Sequence, residues 1–139
     1  MTITELKDKR ALLVDIKNVL GVDSYDSDEL HDLAEKMDSE NDFTVDLDGA
    51  EYRFIEDAVI RETAQDEMEE MIKDCYLSTP DNKELPWWIE IDWKKTVQNC
   101  IDADGYGHHF SSYDGNEYEV TSDTYPSINY ELWHIFRTN

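Results

Sequence analysis

The spacing of apolar residues along the chain changes several times, and each change marks an element. Leu6, Leu13, Ile16 and Leu20 share one face of a 3.6-residue repeat, with a Thr2/Glu5 capping box before them and Gly21 behind, which predicts a helix over about 3–20. Asp26 and Glu29 open a second, shorter helix through Leu30, Leu33, Ala34 and Met37, stopped by the polar run 38–42. The period then drops to two in Phe43-Thr44-Val45-Asp46-Leu47. Asp48-Gly49 and Tyr52-Arg53-Phe54-Ile55 follow, a hairpin signal because a tight type I′ turn needs positive φ at both central residues. A third helix is expected over about 56–77, with Ile60, Ala64, Met68, Met71, Ile72 and Cys75 facing inward.

Residues 79–86 combine Pro80 and Pro86 with polar turn formers and read as a linker, so that 1–78 and 79–139 form two halves of one compact domain. Residues 87–91 are expected to be short and extended. Core packing across the linker is the favoured role for Trp87, Trp88 and Trp93, with an exposed partner patch as the alternative. Asp92 caps a helix from Trp93 to about Ala103, which Gly105 and Gly107 break. A second hairpin is expected from residues 109–113, Asp114-Gly115 and residues 117–120, and a last strand over 130–137. Asp48-Gly49-Ala50-Glu51-Tyr52 and Asp114-Gly115-Asn116-Glu117-Tyr118 stand 66 residues apart, an echo consistent with two αββ halves joined by a long acidic helix. The expected class is α+β, with helices packed on small antiparallel hairpins or sheets.

Composition supports a packed core: 40% of residues are hydrophobic, with four Trp and eight Tyr. Charge changes the picture more. The formal net charge is −22, and residues 21–78 hold 20 acidic side chains against four basic ones, whereas residues 1–20 hold four bases against three acids. Such a chain repels nucleic acid and anionic membranes, so the expected partner is a basic protein. Cys75 and Cys100 sit in apolar patterns and are expected to be buried, reduced thiols. With no apolar run near ~20 residues and no export signal, the expected location is cytoplasmic.

Little in the chain points to an enzyme. EF-hand spacing fails at both Gly49 and Gly107, and no phosphate-binding glycine loop, zincin motif or nucleophile elbow is present. His108 and His109 with Asp102 and Asp104 are the one set that would serve a small metal-dependent enzyme; an ordinary histidine pair is the favoured reading. Lys94 and Lys95 alone beside the tryptophans give no track for a phosphate backbone. No metal or cofactor is expected.

The acids themselves remain. Carboxylates at i and i+4 rise about 6 Å along a helix, and one DNA strand carries a phosphate every ~3.4 Å of axis. Asp23, Asp26, Asp28 and Glu29, with Glu62, Asp66, Glu69, Glu70 and Asp74 of the third helix, are therefore candidate phosphate surrogates on two neighbouring strands. Salt adaptation would also make a chain acidic, but eight Lys and bulky aromatics throughout favour mimicry.

The segment Ile89-Glu90-Ile91-Asp92-Trp93-Lys94-Lys95-Thr96-Val97-Gln98-Asn99, then Asp104-Gly105-Tyr106 and the closing Trp133-His134-Ile135-Phe136-Arg137-Thr138-Asn139, resembles the C-terminal part of ArdA-type antirestriction proteins. It is similar also to small acidic proteins of tailed phages and mobile elements. The chain departs from the family pattern at Val97-Gln98-Asn99, where Ala-Arg-Asp is commoner, and is shorter than a full three-module member. The resemblance implies a homodimeric DNA mimic, working in the cytoplasm of a host bacterial cell. Its target would be the DNA groove of a restriction-modification complex, or of a CRISPR effector by the same physics. An acidic module that grips a basic host protein without DNA competition is the alternative.

Overall fold

A computed structural model describes residues 2–22, 27–77 and 88–139. Its class is α+β: four helices and one antiparallel sheet of four strands. Helix α1 (Ile3–Leu20) starts where the Glu5 amide donates to Thr2 Oγ1 at 3.1 Å. It ends in a Schellman motif: Gly21 is left-handed, its N–H bonds the Asn18 carbonyl, and the Val22 N–H reaches Lys17. Helix α2 spans Ser27–Ser39. Strands β1 (Asp42–Leu47) and β2 (Ala50–Glu56) form the expected hairpin, with φ of 53° at Asp48 and 79° at Gly49. Helix α3 (Asp57–Ile72) widens into a π-helical turn over Lys73–Leu77. Helix α4 (Trp93–Phe110) and strands β3 (Tyr118–Thr121) and β4 (Leu132–Arg137) complete the chain. The linker at 79–86 and Trp87 lie outside the described residues.

The sheet runs β1-β2-β4-β3, so β2 and β4 are central. Helices α1 and α2 cover one face, where Leu12, Ile16, Leu33 and Met37 meet Phe43, Val45, Phe54, Trp133 and Ile135. Helices α3 and α4 cover the other, where Ile60, Ala64, Met68, Val97 and Phe110 meet Ile55 and Phe136. Burial on both faces explains why Trp133-His134-Ile135-Phe136 is buried throughout, while edge strand β1 alternates buried and exposed. In chain order, two helices and two strands are followed, among the described residues, by two more helices and two more strands.

Four expectations need correcting. Gly105 breaks α4 as expected (φ 74°, ψ 173°), but Gly107 does not: a second helical segment continues the element to Phe110, so residues 109–113 form no strand. Tertiary burial overrides the local alternation: the Phe110 ring lies 5.1 Å from Phe136, and an exposed hairpin would forfeit that contact. Asp114-Gly115 consequently joins no hairpin. Asp114 accepts from the Ser111 hydroxyl at 2.8 Å and the Asn116 amide at 2.9 Å, fixing a loop, and β3 pairs with β4 instead. Cys75 is exposed, because the π-helical turn breaks the 3.6-residue period on which inward placement rested, and Cys100, in α4, is half-buried at the edge of the core. Trp88, finally, is not core: it is 66% exposed.

Gly107 pins the Asp114 loop to α4. A Cβ at this buried position would lie 2.3 Å from the Gly115 carbonyl oxygen, a backbone atom that cannot swing aside. Gly107→Ala is expected to cost about 1–3 kcal/mol, the range for overpacking a closed contact, as a lowered midpoint in urea unfolding.

Candidate acidic binding face

Helix α3 is held by one stripe and presents another. Ile60, Ala64 and Met68 are buried, and the opposite side carries exposed Glu62, Asp66 and Glu70, with exposed Asp74 in the π-helical turn beyond. Among the described residues these four carboxylates form no hydrogen bond or ion pair. Glu69 differs: it is half-buried and pairs with Lys73 at 3.4 Å, while the Lys73 ammonium also lies 5.1 Å from the Trp93 ring centroid. At the Glu62 end a shallow groove between α3 and α4 is lined by Glu62 with Arg61, Lys94 and Lys95, and Lys73 stands between Glu70 and Asp74 at the other end.

Glu67 turns inward. Arg53, on the sheet face beneath α3, donates to both oxygens of Asp42 at 2.9 and 2.7 Å and to both of Glu67 at 3.1 and 2.6 Å. Its guanidinium lies 5.0 Å from the centroid of Phe110. The bonds from Arg53 hold the Glu67 carboxyl below its ordinary range, against the opposing effect of burial. The clasp fixes α3 to the sheet, which makes the outward row rigid. Sequence reasoning missed it; strand alternation, which puts Arg53 on the same face as buried Ile55, was the available signal.

The nine expected surrogates do not form one track. Asp23 and Asp26 lie outside the described residues. Asp28 and Glu29 belong to α2, on the opposite face of the sheet from α3, so the two groups cannot stand as neighbouring strands. The α2 acids are also engaged within the molecule: Glu29 accepts the Asp48 amide at 3.1 Å, Asp32 pairs with Lys36 at 3.4 Å, and Asp38 with Lys9 at 2.8 Å. Of the expected set, Glu62, Asp66, Glu70 and Asp74 remain together and without an ion pair among the described residues.

The residues considered for metal-dependent catalysis diverge. His108 is exposed, and the His109 ring stands edge-on to Phe110 with Nε2 3.4 Å from Glu67. Asp102 accepts from Gln98 at 2.8 Å on the exposed side of α4. No helix among the described residues is long and apolar enough to cross a membrane. No family model matches the chain, and neither a curated protein nor a solved structure does.

Proposed function

We propose that this protein is a non-enzymatic inhibitor whose α3 row imitates one DNA strand and occupies the basic groove of a nucleic-acid-binding defence complex, of the restriction-modification or CRISPR kind. The observation that carries the reading is the exposed row Glu62, Asp66, Glu70 and Asp74, none of which forms a hydrogen bond or ion pair among the described residues. Glu62, Asp66 and Glu70 rise about 6 Å per step on α-helical geometry, close to the ~6.8 Å that separates every second phosphate of a strand, and Asp74 follows in the π-helical turn. Like charges at i, i+4 destabilise a helix by a few tenths of a kcal/mol per pair. A fold gains nothing from such a row, so its presence supports a role in recognition. The resemblance to ArdA-type proteins points the same way.

The test is competition with duplex DNA for such a complex. Inhibition is expected to fall steeply as salt rises, because the groove's Lys and Arg contacts are screened. The variant Glu62→Lys/Asp66→Lys/Glu70→Lys/Asp74→Lys is expected to lose inhibition. Asp32→Lys/Glu35→Lys/Asp38→Lys/Glu40→Lys, which changes net charge equally on the other layer, should retain most of it. Equal loss in both variants would reduce the effect to bulk charge and defeat the proposal.

Exposed Trp88, with Ile89 beside it, favours a second reading: an interaction module that grips a basic host protein through an aromatic anchor. Capture of the partner that survives high salt and is lost in Trp88→Ala would select it.

A further inference from the structure

His134 is the only ionisable side chain in the buried run of β4, and its side chain is 7% exposed. Three carboxylates from three elements surround the ring. Nε2 lies 2.8 Å from Asp57 Oδ1 at the start of α3. Nδ1 is hydrogen-bonded to Glu117 Oε1 in the loop before β3, and lies 3.7 Å from Glu119 Oε1. Glu119 stands directly opposite His134 in the β3–β4 register, and Glu117, two residues earlier, points to the same side. The Tyr106 ring stands edge-on at 5.9 Å and closes one flank. The Gly107 contact and the Ser111–Asp114 bond fix the loop that carries Glu117.

A neutral imidazole has one donor and one acceptor. Here both ring nitrogens face carboxylate oxygen, so the ring needs a second positive occupant at Nδ1. We infer that Nδ1 of His134 with the carboxylates of Glu117 and Glu119 forms a binding site for a divalent first-row transition metal of the zinc class. The three ligand atoms lie within 4.8 Å of one another; metal bonds of about 2.0–2.2 Å require Glu117 to withdraw from its hydrogen-bond contact with Nδ1 and Glu119 to close in, side-chain rotations open to two exposed carboxylates. Asp57 has the place of an outer carboxylate. By accepting Nε2–H it holds the tautomer that leaves the Nδ1 lone pair for the metal, as outer carboxylates do at histidine–metal sites.

Charge and donor type set the class of ion. Two carboxylates and a neutral imidazole offset a divalent cation, and the −22 chain concentrates cations around itself. A nitrogen donor and only three protein ligands disfavour Ca²⁺ and Mg²⁺, which need oxygen-rich shells. The remaining coordination position opens toward solvent, where Glu119 is exposed.

The experiment is a titration of chelator-stripped full-length protein with Zn²⁺ in millimolar Mg²⁺, which occupies diffuse surface carboxylates, and with Co²⁺ as a spectroscopic probe. Saturable 1:1 uptake of Zn²⁺ is expected, with a raised melting temperature and visible Co²⁺ bands. Glu117→Gln/Glu119→Gln is expected to weaken uptake at least tenfold while remaining folded without metal, since it removes two charges from an over-anionic chain. Asp57→Asn should weaken it about tenfold, the lower end for an outer-carboxylate change, and His134→Gln should abolish the Co²⁺ bands. Two results overturn the inference: uptake that never saturates near one equivalent, or unchanged affinity in Glu117→Gln/Glu119→Gln. Either would show that the second occupant of the ring is a proton.

Discussion

Trp133→Ala is expected to lower stability by about 3–5 kcal/mol, the cost of truncating a fully enclosed large aromatic. Trp133 is 1% exposed near the start of β4, the largest fully buried side chain among those described. Its ring stands edge-on to Phe43 at 5.5 Å and to Phe54 at 6.3 Å, while those two stack on each other at 5.2 Å. These strands are each tied into a single sheet, so the surroundings cannot collapse into the void without breaking register. The loss has a polar part too. The indole N–H donates to Glu131 at 2.9 Å, and the Glu131 carboxyl is pushed up by burial, an effect that this bond partly offsets. Removing the donor leaves a half-buried carboxylate without its bond. Since domains are stable by only about 5–15 kcal/mol, a substantial unfolded fraction should be visible by circular dichroism at moderate urea. A loss below about 1 kcal/mol would mean that the α1–α2 layer closes over the gap, contrary to the packing described.

Arg53→Ala is the second large effect, expected at about 2–3 kcal/mol near neutral pH. One half-buried guanidinium bonds two carboxylates in bidentate fashion and covers an aromatic face. Breaking a fully buried pair from one side costs about 3–5 kcal/mol; the figure is lower here because Glu67 is partly exposed and solvent screens it. The pH dependence has a definite sign. The Glu67 carboxyl is depressed by Arg53, so its contribution is present above the ordinary value of about 4.5 that it has in the unfolded chain, and is lost as pH falls through the lower folded value. The difference in stability between wild type and Arg53→Ala should therefore shrink below about pH 4.5. Comparing the two proteins at each pH removes the general relief of self-repulsion as carboxylates protonate, which both share. A difference that stays constant down to pH 3 would show that Arg53 acts through packing on Phe110 alone.

Both effects bear on function through rigidity. The α3 row can present fixed charge only if the helix is held at its inner face, and Ile60, Ala64 and Met68 do this with the Arg53–Glu67 clasp. Screening of a mobile chain's charges would give weak, sequence-tolerant attraction to any cation-rich surface. Under the proposed function, a row fixed at helical pitch gives a spacing that a DNA-binding groove can select.

The sequence alone determined what depends on neighbours a few residues apart. Capping at Thr2 and Asp92, the stop at Gly21 and the Asp48-Gly49 turn all follow from local hydrogen bonding and backbone sterics, and each formed where the pattern placed it. Solvent exposure of Glu62, Asp66 and Glu70 was likewise legible, because the buried stripe of α3 fixes the opposite side. Only the tertiary structure decided what depends on distance along the chain. It placed α2 and α3 on opposite layers, dividing the acidic residues that lie close in composition, because β2 and β4 need cover on both faces. It extended α4 past Gly105 so that Phe110 could reach Phe136, over a local preference for strand. It also gathered Asp57, Glu117, Glu119 and His134 from across the chain, since the pairing of β3 with β4 has no signature within either strand.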